Sequence, residues 1–265
     1  MNRLLITITL LYTVLASAQS TASKQVSTFT IDAPDLGTTK KIWLYLPENY
    51  NQSTKRLPVI YMHDGQNLFD KATAPYGEWE VDETLDSLKA QVIVVGIAHG
   101  NEKRIEELTP FPNAKYGGGK ANAYLDFVVH TLKPYIDKNY RTKTGAKHTA
   151  IFGSSLGGLV SFYAVLKYPK VFGKAGVFSP SFWYSNDIYE LMEKAPKTKA
   201  KIYFLAGDSE SKDDDVVGDM QRMENLLNKN RCACLKRNKS VVVKGGQHNE
   251  KLWRESFANA YLWLF

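Results

Sequence analysis

Apolar and polar residues alternate in residues 24–34 (KQVSTFTIDAP) and again in 40–50 (KKIWLYLPENY), a period of two that predicts two antiparallel strands joined by a turn around Gly37. The pattern then changes. Residues 57–65 (LPVIYMHDG) and 90–100 (AQVIVVGIAHG) are near-continuous apolar runs that end in polar residues and glycine, the form of a buried strand entering a loop. Residues 101–120 (NEKRIEELTPFPNAKYGGGK) are polar, with two prolines and three consecutive glycines, and predict a long loop that could act as a lid. Helical spacing returns in residues 120–140, with Pro134 expected to kink or end the helix. From there strands and helices alternate: a strand at 147–153, a helix at 155–169 stopped by Pro169, strands at 173–183 and 200–210, an amphipathic helix at 214–230, a strand at 239–248 and a closing helix at 250–265. Apolar strands alternating with helices predict an α/β fold with a mostly parallel central sheet covered on both faces, the two opening strands forming an antiparallel edge. Loops at the carboxyl ends of such strands carry the ligand.

Composition changes this picture little. The chain of 265 residues is 44% hydrophobic and 23% charged, which fits one large globular domain. Its net charge is +7, but the lysines are dispersed in sequence and no basic run alternates with aromatics, so no nucleic-acid partner is expected. The amino terminus matters more. Arg3 precedes an apolar run over residues 4–15 that ends in Ala16-Ser17-Ala18, the small-residue pattern that signal peptidase cleaves after. Residues 1–18 are therefore read as a signal peptide and residues 19–265 as a single domain, exported to the periplasm or secreted. An uncleaved anchor is the alternative. The run is short for a bilayer span, and no stable membrane insertion is expected after cleavage. Cys232 and Cys234 form a C-x-C pair too sparse for a structural zinc site and are read as structural residues.

Candidate chemistry gathers at the predicted strand ends. Residues 153–157 (GSSLG) match G-x-S-x-G only with Ser155 in the central place, between a strand and a helix, where a tight turn exposes a nucleophile. A serine hydroxyl needs a base. His248 is the only histidine after Ser155, and it follows the last strand behind a Gly-Gly pair. An acid should fall between them, and position alone leaves Asp208 and Glu210 both open. The backbone amides of Gln66, after an earlier strand, and Leu156, after the serine, are the candidate oxyanion donors. His63 and Asp64 offer two ligands without a third, so no metal is expected, and the chemistry requires no cofactor.

With these residues in view, the chain resembles the esterase D family of α/β-hydrolases, which includes feruloyl, acetylxylan and siderophore esterases, S-formylglutathione hydrolase and the mycolyltransferases. The resemblance spans nearly the whole chain after residue 18 and is carried by PVIYMHDGQNLFD, GEWEVDETLD, AIFGSSLGGL, FSPSFW, LAGDSE and GGQH. It implies an α/β-hydrolase fold, Ser155 as nucleophile and His248 as base. It favours Glu210 as acid through the form G-x-x-[DE] at residues 207–210, although some siderophore esterases of the group work with a serine–histidine pair. It also supports Gln66 as a donor, because the relatives' donors lie just after a D-G or H-G pair. The cytosolic S-formylglutathione branch fits poorly with a signal peptide. The implied activity is hydrolysis, through an acyl-enzyme, of carbohydrate-linked or siderophore-type esters. Trp79, Trp183 and Tyr184 could stack on a sugar or aromatic acyl group, and Arg104 could meet a carboxylate, while the tryptophans could equally belong to the core. Transfer of the acyl group to a sugar or alcohol, or a binding protein that kept only the fold, are the alternatives. The expected partner is a small-molecule or glycan ester; the oligomeric state is not legible.

Overall fold

A computed structural model describes residues 20–229 and 237–265, so the predicted signal peptide and the Cys232–Cys234 pair lie outside the described residues. Strands β1 (Val26–Ala33) and β2 (Thr38–Tyr45) pair antiparallel in full register, from Val26 opposite Tyr45 to Ala33 opposite Thr38. Gly37 turns the chain between them at φ 59°, a conformation that favours glycine. Next come β3 (Val59–Met62), α1 (Val81–Ser87), β4 (Ile93–Ile97) and α2 (Arg104–Leu108). A small hairpin, β5 (Pro112–Asn113) and β6 (Gly117–Gly118), precedes α3 (Ala121–Asp126) and α4 (Lys133–Asn139). The remainder alternates: β7 (Thr149–Ser154), α5 (Leu156–Lys167), β8 (Lys174–Phe178), α6 (Asp187–Lys194), β9 (Lys201–Gly207), α7 (Val216–Lys229), β10 (Asn238–Val243) and α8 (Glu250–Leu264).

One eight-stranded sheet orders these strands β1-β2-β4-β3-β7-β8-β9-β10. Strand β2 runs antiparallel to both β1 and β4, and every pairing from β4 to β10 is parallel. The pleat divides the apolar runs between two cores. Val59, Tyr61, Ile151, Val177, Ile202 and Phe204 face one cluster, built with α3, α5, α6 and α7. Ile60, Met62, Phe152, Phe178, Tyr203 and Leu205 face the other, built with α1 and α8. A strand buried on both faces has no polar side to show, which is why these stretches read as unbroken apolar runs.

Three elements depart from the pattern-based expectation. Pro134 neither ends nor breaks its helix. A wider turn over Phe127–Leu132, in which the Lys133 amide reaches back to the Val128 carbonyl, stands ahead of it, and Pro134 takes the second position of α4. Widening the turn absorbs the missing N–H and the clash that a proline ring makes with the preceding turn. Helices α1 and α6, of 7 and 8 residues, carry no prediction because they are too short to establish a period. Residues 101–120 hold a helix and a hairpin rather than a loop throughout. Their inner end is fixed by a buried ion pair: Lys40 Nζ on β2 lies 2.6 Å from both oxygens of Glu107 on α2, and Glu107 also accepts from the Gly100 amide at 2.9 Å. Such a pair adds little net stability over an apolar equivalent, but removing one partner is costly, so it fixes register.

Candidate active site

Strand β7 delivers the chain into α5 through Ser155, whose backbone stands at φ 58° and ψ −123°. A serine held there stores roughly 1–3 kcal/mol of strain. The glycines explain how the turn closes. A Cβ on Gly153 would come within 2.7 Å of the Gly157 backbone, and one on Gly158 within 2.7 Å of the Phe178 carbonyl. The Ser155 amide donates to that same Phe178 carbonyl at 3.0 Å, pinning the turn to the end of β8. Ser155 Oγ lies 3.2 Å from Ser181 Oγ. Because Ser155 immediately precedes the twelve-residue α5, the positive end of the helix dipole is directed at it.

His248, beyond β10, meets Glu210, beyond β9: Nδ1 and Oε2 are 2.8 Å apart. Asp208, the other acid that position left open, is engaged elsewhere; its carboxylate accepts from the Gly245 amide at 2.6 Å and the Ser209 hydroxyl at 3.0 Å. The Glu210 side chain is 1% exposed, and its other oxygen accepts from the Ser179 hydroxyl and the Gly207 amide, both at 2.6 Å. Trp253 on α8 donates its indole N–H to Ser179 Oγ at 2.8 Å and sets its ring edge-on to the His248 imidazole, centroids 5.2 Å apart. The carboxylate therefore has fixed neighbours around the histidine contact. With Nδ1–H donating to Glu210, the neutral ring carries its lone pair on Nε2.

Two glycines allow the Glu210 and His248 loops to meet. A Cβ on Gly207 would lie 2.2 Å from the Gly246 carbonyl oxygen, and one on Gly246 would lie 2.9 Å from the Gly207 Cα. Gly207→Ala is expected to force these backbones apart and lower kcat/KM for a p-nitrophenyl ester by on the order of tenfold to a hundredfold, the usual cost of misplacing catalytic groups by about an ångström. Activity within twofold of the parent would show that this contact does not set the site.

Ser155 and His248 line one cleft of about 460 Å³, together with Asp64, His99, Arg104 and Trp253. Gln66 sits in the single turn Gly65–Asn67 after β3, which the chain enters through Asp64 at φ 54°. Leu156 is the first residue of α5. Among the described residues, no hydrogen bond occupies the amide of either. Arg104 clamps Asp64 with two bonds, Nε to Oδ1 at 2.7 Å and a terminal nitrogen to Oδ2 at 2.8 Å. Burial pushes the Asp64 carboxyl up, but the guanidinium outweighs it and holds the group below the usual carboxylate range. His63 is buried, with Nδ1 2.7 Å from the Tyr124 hydroxyl, and burial lowers its pKa to about 4, so the ring is neutral near pH 7. His63 and Asp64, adjacent in sequence, thus have separate partners.

The family model described as "Putative esterase" matches residues 33–264. The chain belongs to this esterase family. The esterase is 29% identical over 253 residues to the uncharacterized protein YbbA of Bacillus subtilis, a match covering 85% of this chain and 92% of that one. It is 30% identical over 138 residues to the siderophore triacetylfusarinine C esterase of Aspergillus fumigatus, covering 49% of this chain and 46% of the relative. Its fold is similar to the crystal structure of the BES protein from Bacillus cereus, with a TM-score of 0.72 at 20% identity, covering 95% of this chain and 99% of that chain.

The aromatic residues expected to contact substrate have different surroundings. Trp79 is 3% exposed, with its ring against Phe178, Trp253 and Phe257, so it belongs to the core of the esterase and not to a stacking surface. Tyr184 is buried as well, its hydroxyl donating to the Gly117 carbonyl at 2.8 Å and thereby holding the β5–β6 hairpin. Only Trp183 is open, at 39% exposure, edge-on to the exposed Tyr116 with centroids 5.9 Å apart. None of the three lines the cleft of Ser155. Arg104 does, although its charge is shared with Asp64. Sequence reasoning missed Ser179, Ser181 and Trp253. The serines lie in FSPSFW, where a polar S-P-S after an apolar strand was the available signal. Trp253 gave none, since its bond to Ser179 crosses 74 residues.

Proposed function

We propose that the chain is an exported serine carboxylic-ester hydrolase that works through an acyl-enzyme on carbohydrate-linked or siderophore-type esters. Membership of the esterase family carries ester hydrolysis, and the siderophore esterase among its relatives motivates the substrate class. The observation that carries the mechanism is the 2.8 Å His248–Glu210 contact, opening on the same cleft as a strained Ser155. In this reading Ser155 Oγ attacks the ester carbonyl while His248 Nε2 takes its proton. The amides of Gln66 and Leu156 hold the oxyanion, each worth about 3 kcal/mol of barrier. His248 returns the proton to the leaving alkoxide, and water attacks the acyl-enzyme by the same route. Glu210 keeps the proton on Nδ1 and stabilises the imidazolium. Export rests on Arg3, the apolar run over residues 4–15 and Ala16-Ser17-Ala18, with residues 19–265 as the working domain.

Covalent labelling tests the reading. The chain from Gln19 onward is treated with a fluorophosphonate and digested, and the modified peptide is identified by mass spectrometry. One label per chain on the peptide containing Ser155, with parallel loss of p-nitrophenyl acetate hydrolysis, is expected. Labelling elsewhere, or hydrolysis that survives full labelling of Ser155, defeats it.

A further inference from the structure

The cleft lies at the carboxyl ends of the strands. A larger cavity, of about 790 Å³, lies at the other end, where Lys174 opens β8, Lys201 opens β9 and His148 immediately precedes β7. Six lysines (Lys147, Lys170, Lys174, Lys197, Lys199 and Lys201) line it with Arg237, and no aspartate or glutamate does. These cations are dispersed from 147 to 237 in sequence and are brought together only by the fold. None forms an ion pair among the described residues. Several are nevertheless held in place by neutral partners. Lys174 Nζ stands 3.7 Å from the Phe265 ring centroid, Lys201 bonds the Trp263 carbonyl, and Arg237 donates to the Lys199 carbonyl at 3.1 Å.

Such crowding of like charge is unfavourable. Burial first, then Lys201, Lys147 and Lys143, lowers the Lys174 ammonium to about 8, and burial with Lys143, Lys174 and Lys147 also lowers His148. A multiply charged anion would relieve this repulsion on entering. Ammonium groups act as point charges that bind phosphate oxygens, and a cluster of them suits an anion carrying several such oxygens. A concavity whose cations come from several separate segments suits a compact anion better than an extended strand.

We propose that this cavity is a binding site for a compact, multivalent phosphate group, carried either by a free polyphosphate or by a phospholipid headgroup. The site is separate from the ester chemistry and stands whether or not that chemistry is as read above.

The test is titration of the chain from Gln19 with inorganic tripolyphosphate, followed calorimetrically at low ionic strength. Saturable binding at one site is expected, weakened about tenfold or more in Lys174→Gln/Lys201→Gln and several-fold by raising salt. Lys197→Gln/Lys199→Gln changes exposed lysines only and should also weaken binding, which guards against a misfolded first variant. Unchanged hydrolysis of p-nitrophenyl acetate in both variants would show that they fold. Sedimentation with vesicles containing phosphatidic acid, whose phosphomonoester headgroup can carry two charges, lost in the same variants, would assign the headgroup source; tripolyphosphate binding without sedimentation would assign the free one. The proposal is overturned if tripolyphosphate does not bind, or if both variants bind it as the parent does. It is also overturned if a single-stranded oligonucleotide binds through these lysines more tightly than tripolyphosphate.

Discussion

Ser155→Ala is expected to leave the esterase folded and to lower kcat for p-nitrophenyl acetate by a factor on the order of ten thousand. The hydroxyl is the only group lost. Its one hydrogen-bonding contact is the 3.2 Å approach to Ser181, and alanine at φ 58° meets much the same backbone strain as serine, so the melting temperature should move by only a few degrees. What remains would be whatever the two free amides and simple binding supply to attack by water. His248→Ala should cost a similar factor, and the double variant hardly more, because residues acting as one unit do not add. A Ser155→Ala enzyme within tenfold of the parent would remove Ser155 from the mechanism.

The second large effect concerns the acid. Glu210→Gln preserves shape but changes what the group can give and take. The carboxylate accepts from three donors: Ser179 and the Gly207 amide on one oxygen and His248 on the other. An amide that keeps its oxygen on Ser179 and Gly207 turns its NH₂ toward His248 Nδ1, which must then accept, and the proton moves to Nε2, where the base is needed. A fall in kcat of roughly a thousandfold to ten-thousandfold is expected from that tautomer reversal. Asp208→Asn, which touches only the Gly245 amide and Ser209, should stay within about threefold, as a surface change away from the histidine would. Steady-state kinetics on both variants decides the matter, and a larger loss in Asp208→Asn would reassign the acid.

The order in which these residues occur along the chain was legible because it follows from strand ends. Apolar runs located β3, β4, β7 and β9, and the polar residues just beyond them include Gln66, Ser155 and Glu210. Position alone did not distinguish Glu210 from Asp208, since only Ser209 lies between them; they differ in the three bonds by which Glu210 reaches Ser179, Gly207 and His248. Ser179 and Trp253 were invisible for the same reason. The burial of Trp79 was hidden because composition does not say which aromatic residues face a cleft and which fill a core. The basic cavity at the amino ends of the strands was the largest feature concealed, as its cations come from segments up to 90 residues apart.

The Lys40–Glu107 pair ties one wall of the Ser155 cleft to the sheet. Glu107 is tied to β2 and to the Gly100 amide, and the adjacent Arg104 and His99 form part of the cleft wall. Swinging that wall outward would carry Glu107 away and leave the Lys40 ammonium unpaired in the interior, at a cost of about 3–5 kcal/mol. A wall that opened less than once in a hundred molecules is, for turnover, a rigid frame. The cleft wall that carries Arg104 and His99 is therefore held from behind, by a charge pair on β2 and not by anything inside the cleft.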